Sequence, residues 1–173
     1  MDEFDPAPEP DRQRWQAGTD TFGRVYDVLL GTTAPTPYAE IAETADCSPN
    51  AAKKHLDRLT EMDIARADTD GQPARYARND AYFEWQEASR IAREHSVDDI
   101  VERVHELETK RSAYEERFDA TDPSGVSAFD ADGHDAVHER MAAIGDWQGI
   151  VREIRLYELA RQITQNDGHL IPA

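Results

Sequence analysis

Apolar side chains recur at three- and four-residue spacing along most of this chain, and the places where the spacing fails mark its boundaries. In TFGRVYDVLL, Phe22, Val25, Val28 and Leu29 share one helical face, with Thr19 or Asp20 placed to cap and Gly31 to stop. In TPYAEIAETADCS, Thr36 is a suitable N-cap, Pro37 suits a first helical position, and Ala39, Ile41, Ala42 and Ala45 form a compact apolar set. A break of three residues follows, Asp46, Cys47 and Ser48, before Ser48 caps and Pro49 opens a third helix reaching about Met62. Two short helices joined this tightly predict a helix-turn-helix.

The period then changes. IARADTDGQPARYAR contains two stretches suited to strands around the turn-forming DTDGQP, which predicts a β-hairpin over residues 65–78 with Tyr76 as its anchor into a core. Helical spacing returns with AYFEWQEASRIAREH, and Ser96 with Asp99 forms an S-x-x-D capping box for a fresh helix. From there Val97, Ile100, Val104, Leu107, Arg111, Tyr114 and Phe118 follow at alternating spacings of three and four, the seam of a short coiled coil with one polar interruption. Residues 119–133 read as a loop. A last helix presents Val137, Met141, Ile144, Trp147, Val151, Ile154 and Ile163 on a broad apolar face, and its Gly145 and Gly149 suggest close helix packing. The expected fold is mainly α with a small β-hairpin: an acidic disordered tail over residues 1–13, a winged helix-turn-helix domain over 14–80, and a helical hairpin or coiled coil over 81–173.

Charge sharpens this picture. The chain carries 36 Asp and Glu against 19 Lys and Arg, a formal net charge of −17, and lysine occurs only at positions 53, 54 and 110. This balance resembles that of proteins from salt-loving archaea, whose acidic surfaces hold water and cations. Residues 48–79 escape the bias, with six Lys or Arg against five Asp or Glu, so that window is +1 and the other 141 residues total −18. Counting about 100° per residue from Leu56, Ala52 and Leu59 fall on the buried face of the third helix, while Asn50, Lys54, Asp57 and Arg58 lie about 100° or more away. Lys53 sits on the flank. An amide and cations thus occupy the face opposite the core, at the end of a recognition helix that meets base edges.

The stretch YAEIAETADCSPNAAKKHLDRLTEMDIA, followed by GQPARYAR, resembles the winged helix-turn-helix domain of prokaryotic transcriptional regulators of the ArsR, MarR and TrmB-like kind, haloarchaeal members above all. The likeness rests on Glu40, Ile41, Ala42, Ser48, His55, Leu56 and Leu59, and covers roughly residues 19–80. It implies a recognition helix at 49–62 in the major groove and a wing at 65–78 on the backbone or minor groove of double-stranded DNA. Asp63 stands where such domains usually carry Gly, and a left-handed turn is expected there.

The expected DNA-contacting set is Ser48, Pro49, Asn50, Lys53, Lys54, Arg58, Arg66, Arg75 and Arg78, with base readout on Asn50 and Lys54. The arginines have the alternative of pairing with Asp57, Asp68 or Asp70; phosphate contact is favoured for Arg75. A homodimer is expected through Val97, Ile100, Val104, Leu107, Tyr114 and Phe118 together with Ile144, Trp147, Val151 and Ile154. His55 is assigned to packing and Cys47 to a small structural residue in a turn. His134 and His138, four apart beside Asp130, Asp132 and Asp135, raise the question of a metal, but DADGHD lacks the spacing of a calcium loop, and no metal or cofactor is assigned.

No Ser-His-Asp order, phosphate loop, dinucleotide fingerprint or paired-carboxylate signature is present, so an enzyme is not expected. With neither a membrane-length apolar run nor a leader pattern, a cytoplasmic location is expected. The leading function is a homodimeric, sequence-specific DNA-binding regulator. The alternatives are a winged-helix module that binds another protein without reading DNA, and a metal or ligand sensor using the C-terminal helices.

Overall fold

The computed structural model describes residues 9–172. The chain is mainly helical with a small three-stranded antiparallel sheet, and it divides into two compact units, residues 1–83 and 84–173.

The first unit contains α1 (Glu9–Gly18), α2 (Thr21–Gly31), β1 (Thr36–Pro37), α3 (Tyr38–Thr44), α4 (Pro49–Glu61), β2 (Ala65–Asp68) and β3 (Arg75–Arg78). Its sheet order is β1-β3-β2, with Thr36 opposite Tyr76 and Asp68 opposite Arg75. Val25 and Leu29 of α2, Ile41 and Ala42 of α3, Ala52, Leu56 and Leu59 of α4, and Tyr76 of β3 close one core, all at or below 1% exposure. The helix ends follow the cap chemistry. Asp20 accepts from the Gly23 amide at 2.7 Å, and Ser48 accepts from the Ala51 amide at 3.2 Å with Pro49 opening α4.

Two expectations change here. Thr36 does not cap α3: Thr36 and Pro37 pair with β3 as a third strand, and Pro37 stands at the N-cap without a side-chain bond. Proline is tolerated there because this two-residue strand lies at the sheet edge, where its missing N–H leaves no ladder bond unmade. The tail expected over residues 1–13 is helical from Glu9 onward; the remainder, residues 1–8, lies outside the described residues. No apolar periodicity announces α1 because polar contacts hold it: Trp15 donates to Asp27 at 2.8 Å and Gln16 to Asp46 at 2.6 Å.

The second unit contains most of α5 (Asp80–Glu94), followed by α6 (Val97–Phe118), a short 3₁₀ turn (Pro123–Gly125) and the 32-residue α7 (His134–Gln165). Ser96 and Asp99 form the capping box in both directions, and the hydrogen bonds from the Ser96 hydroxyl and amide hold the Asp99 carboxyl below its usual range. The helices α6 and α7 run antiparallel, with Arg103 on Glu153 at 2.7 Å and the Tyr114 hydroxyl donating to Asp146 at 2.6 Å.

This pairing answers the coiled-coil expectation within one chain. Ile100 packs with Leu156, Ala160 and Ile163, Leu107 packs with Ile150 and Ile154, and Trp147 stacks near-parallel on Tyr114 and Phe118 at centroid distances of 6.2 and 5.8 Å. Ile100, Leu107, Ile144, Trp147 and Ile154, expected at a dimer seam, are therefore buried by their own chain, and only Val97, Val104, Tyr114, Phe118 and Val151 keep partial exposure. Gly145 and Gly149 do not mark close packing either. A Cβ built at either would meet nothing within 4 Å, since both lie on the exposed side of α7. Among the described residues no helix is long and apolar enough to cross a membrane.

Candidate functional site

The outer face of α4 and the hairpin β2–β3 form the candidate site. A 13-residue helix whose Ala52, Leu56 and Leu59 are buried turns Asn50, Lys54 and Arg58 outward at successive four-residue steps, and all three are exposed. They line a shallow depression together with Lys53, His55, Asp57 and Glu61. In the hairpin, Arg66 lies opposite Ala77 and Asp68 opposite Arg75, so Arg66, Asp68 and Arg75 share the sheet face opposite the buried Tyr76.

Two of the expected contacts, Lys53 and Arg78, have partners within the chain. Lys53 donates to Asp57 Oδ2 at 2.7 Å, one helical turn on, and the Tyr76 hydroxyl donates to Asp57 Oδ1 at 2.5 Å. Asp57 thus ties α4 to β3 with one oxygen for each partner. Burial would raise its pKa, but the hydrogen bonds from Lys53 and Tyr76 and the charge of Lys53 outweigh burial and leave it lowered. The bond to Asp57 raises Lys53, while burial followed by the same carboxylate raises Tyr76. Lys53 is accordingly paired within the fold, with its side chain still 45% exposed. Arg78 has a similar duty: it donates to the Leu30 carbonyl at 2.8 Å and pairs with Asp80 at 2.7 Å, fixing the end of β3 to α2.

The other four cations differ. Lys54, Arg58, Arg66 and Arg75 make no ion pair or side-chain hydrogen bond among the described residues. Outside residues 48–79 most cations are tied down, as Arg12, Arg14, Arg90, Arg103, Arg111, Arg117, Arg152 and Arg161 are to carboxylates and Arg24 and Arg140 to carbonyls. The alternative of local pairing with Asp57, Asp68 or Asp70 is taken up by none of the arginines of the hairpin or of α4.

Below this surface Arg24 organises the turn between α3 and α4. It donates to the carbonyls of Ala45 at 2.9 Å, Thr19 at 3.0 Å and Asp46 at 3.4 Å, and Asp46 holds a left-handed φ of 51°. Asp63, after α4, has φ 60°, the turn expected for it; aspartate is one of the few L residues that visits this region. His55 packs edge-on against Phe22 with ring centroids 5.5 Å apart, and half-buried Cys47 packs on the core, where burial raises its thiol pKa. Ser48 and Pro49 stay exposed at the leading end of α4.

Sequence reasoning missed the Asp57 link, the Arg24 clamp and the place of Glu61 at the far end of the same depression. The four-residue spacing of Lys53 and Asp57 was a usable signal for the first; nothing local announced the other two. Away from this region, His134 and His138 stand with Nε2 atoms 3.2 Å apart, and no group of three or more potential metal ligands occurs among the described residues.

The chain belongs to the DUF7342 family, a family of unknown function, which it matches over residues 19–163. No curated protein and no solved structure matches it.

Proposed function

We propose that this protein is a sequence-specific DNA-binding transcriptional regulator of winged helix-turn-helix type, with α4 as the helix that enters the major groove and the β2–β3 hairpin as a wing on the backbone or minor groove. The element order α2-β1-α3-α4-β2-β3, with β3 between β1 and β2, supports this reading, as does the tight turn between α3 and α4. The observation that carries it is the set of four unpaired cations, Lys54, Arg58, Arg66 and Arg75, gathered on α4 and one sheet face of a chain whose net charge is −17. Carboxylates outnumber cations 36 to 19 in this chain, and cations left without a partner are available to an anionic ligand. Asn50 and Lys54 face bases in this reading, and Arg66 and Arg75 face phosphates.

Function as a homodimer is part of the proposal, with the partly exposed Val97, Val104, Tyr114, Phe118 and Val151 available to a second copy and Ile100, Leu107, Ile144, Trp147 and Ile154 closed within each hairpin.

The test is fluorescence anisotropy of a labelled duplex pool of about 30 base pairs, titrated with the full chain from about 0.2 to 2 M potassium chloride while circular dichroism follows folding. With Arg66 and Arg75 on phosphates, counterion release alone gives a slope of log affinity on log salt of about −1.8 per subunit. Repulsion by the acidic body acts in the opposite sense and is screened as salt rises. Binding that falls less steeply than this, or rises, and that weakens in Arg75→Ala on all sequences alike, is the expected result. A folded chain that retains no duplex anywhere in the range would overturn the reading.

A further inference from the structure

We infer that α4 reads a purine series, adenine then guanine then guanine at intervals of about one to two base pairs, through Asn50, Lys54 and Arg58; this rests on the DNA-binding reading above. Measured from Leu56 at about 100° per residue, Asn50, Lys54 and Arg58 stand near 120°, 160° and 200°, an arc centred close to the point farthest from the core. A residue at that apex faces the floor of a groove, whereas one on the flank faces its walls. Lys53 occupies the flank toward β3, bonded at 2.7 Å to Asp57, which lies between that flank and the apex. The same geometry places Arg58 with Asn50 and Lys54 on the bases.

Spacing follows from the helix itself. Four residues rise about 6 Å along the helix, stacked base pairs are about 3.4 Å apart, and a helix in the major groove is inclined to the DNA axis, so successive members of the series fall about one to two base pairs apart. Chemistry then assigns the bases. An Asn amide offers one donor and one acceptor, the complement of adenine N6 and N7, while Lys and Arg only donate, matching guanine O6 and N7. None of the three side chains has a hydrogen-bond partner or ion pair among the described residues, so no intrachain bond has to break before they read. The series stops at Arg58 because the next outward residue on α4 is Glu61, whose carboxylate faces the same depression and repels the acceptor-rich edge of guanine.

The experiment is selection from a random-sequence duplex pool in about 1 M potassium chloride with the full wild-type chain, repeated with Asn50→Ala, Lys54→Ala and Arg58→Ala. All three positions are exposed, and the circular dichroism of each variant checks that the fold is kept. The expected result is an enriched half-site holding the three purines in that order and spacing, each variant losing selectivity at its own position by roughly 5-fold to 150-fold. A wild-type motif that lacks the spaced purines, or that survives all three substitutions unchanged, overturns the inference and leaves the DNA-binding reading standing. Failure of the wild-type chain to retain any duplex overturns both.

Discussion

Replacing Tyr76 with Phe removes one hydroxyl and leaves the buried ring in place, which isolates the bond that joins the hairpin to α4. The hydroxyl donates to Asp57 Oδ1 at 2.5 Å from a residue only 1% exposed. A hydrogen bond to a charged acceptor contributes about 1.5–3 kcal/mol, and the Asp57 side chain is 48% exposed, so water re-solvates the carboxylate once the donor is gone. The low end applies, a loss of about 1.5 kcal/mol. Urea unfolding followed by circular dichroism measures it. In a double-mutant cycle with Asp57→Ala the coupling energy should approach the same figure, because both substitutions delete one interaction.

The pH dependence supplies an independent check on the Tyr76 bond. Asp57 has its pKa lowered in the fold, so its contribution is complete above the ordinary carboxylate range and disappears as pH falls through the folded value. A neutral acceptor makes a bond about half as strong, so the cost of Tyr76→Phe should shrink by about half once Asp57 is protonated. At the alkaline end Lys53 and Tyr76 both have raised pKa values, and their contributions are present below the ordinary ranges and lost as pH rises through the raised ones. A coupling energy within about 0.4 kcal/mol of zero, or a Tyr76→Phe cost that is the same at neutral and acid pH, would refute the role given to Asp57.

Asp63→Gly should stabilise the chain by about 1 kcal/mol, because φ is 60° there and glycine adopts that region without the penalty of a Cβ; an unchanged urea midpoint would count against it. Leu107→Asp should destabilise the α6–α7 hairpin at every protein concentration, since Leu107 is 1% exposed within one chain; light scattering that instead shows an intact hairpin falling from dimer to monomer would restore the seam as an intermolecular one. Glu61→Gln should strengthen binding to specific and random duplexes alike by removing a negative charge beside Lys54 and Arg58, and equal anisotropy titrations for variant and wild type would place Glu61 outside the interface.

Local chemistry alone determined much of this protein. The caps at Asp20 and Ser48, the capping box at Ser96 and Asp99, the hairpin around DTDGQP and the left-handed Asp63 each depend on a few neighbouring residues, and each was legible before any fold was known. Periodicity likewise assigned Ala52, Leu56 and Leu59 to the core and Asn50, Lys54 and Arg58 to the surface, because a helix fixes direction within a single turn. What periodicity left open is which surface covers an apolar stripe: Ile100 and Leu107 look the same whether the facing helix comes from a second copy or from residues 134–165 of the same chain, and here it is the latter. The duties of the cations were equally undetermined. Lys53 and Lys54 are adjacent and identical in type, yet the one-residue rotation of about 100° sets Lys53 beside Asp57, which also binds Tyr76 from 19 positions away, and leaves Lys54 without a partner among the described residues. Pairing acts over a few ångströms in space, and only the folded chain decides which charges come that close.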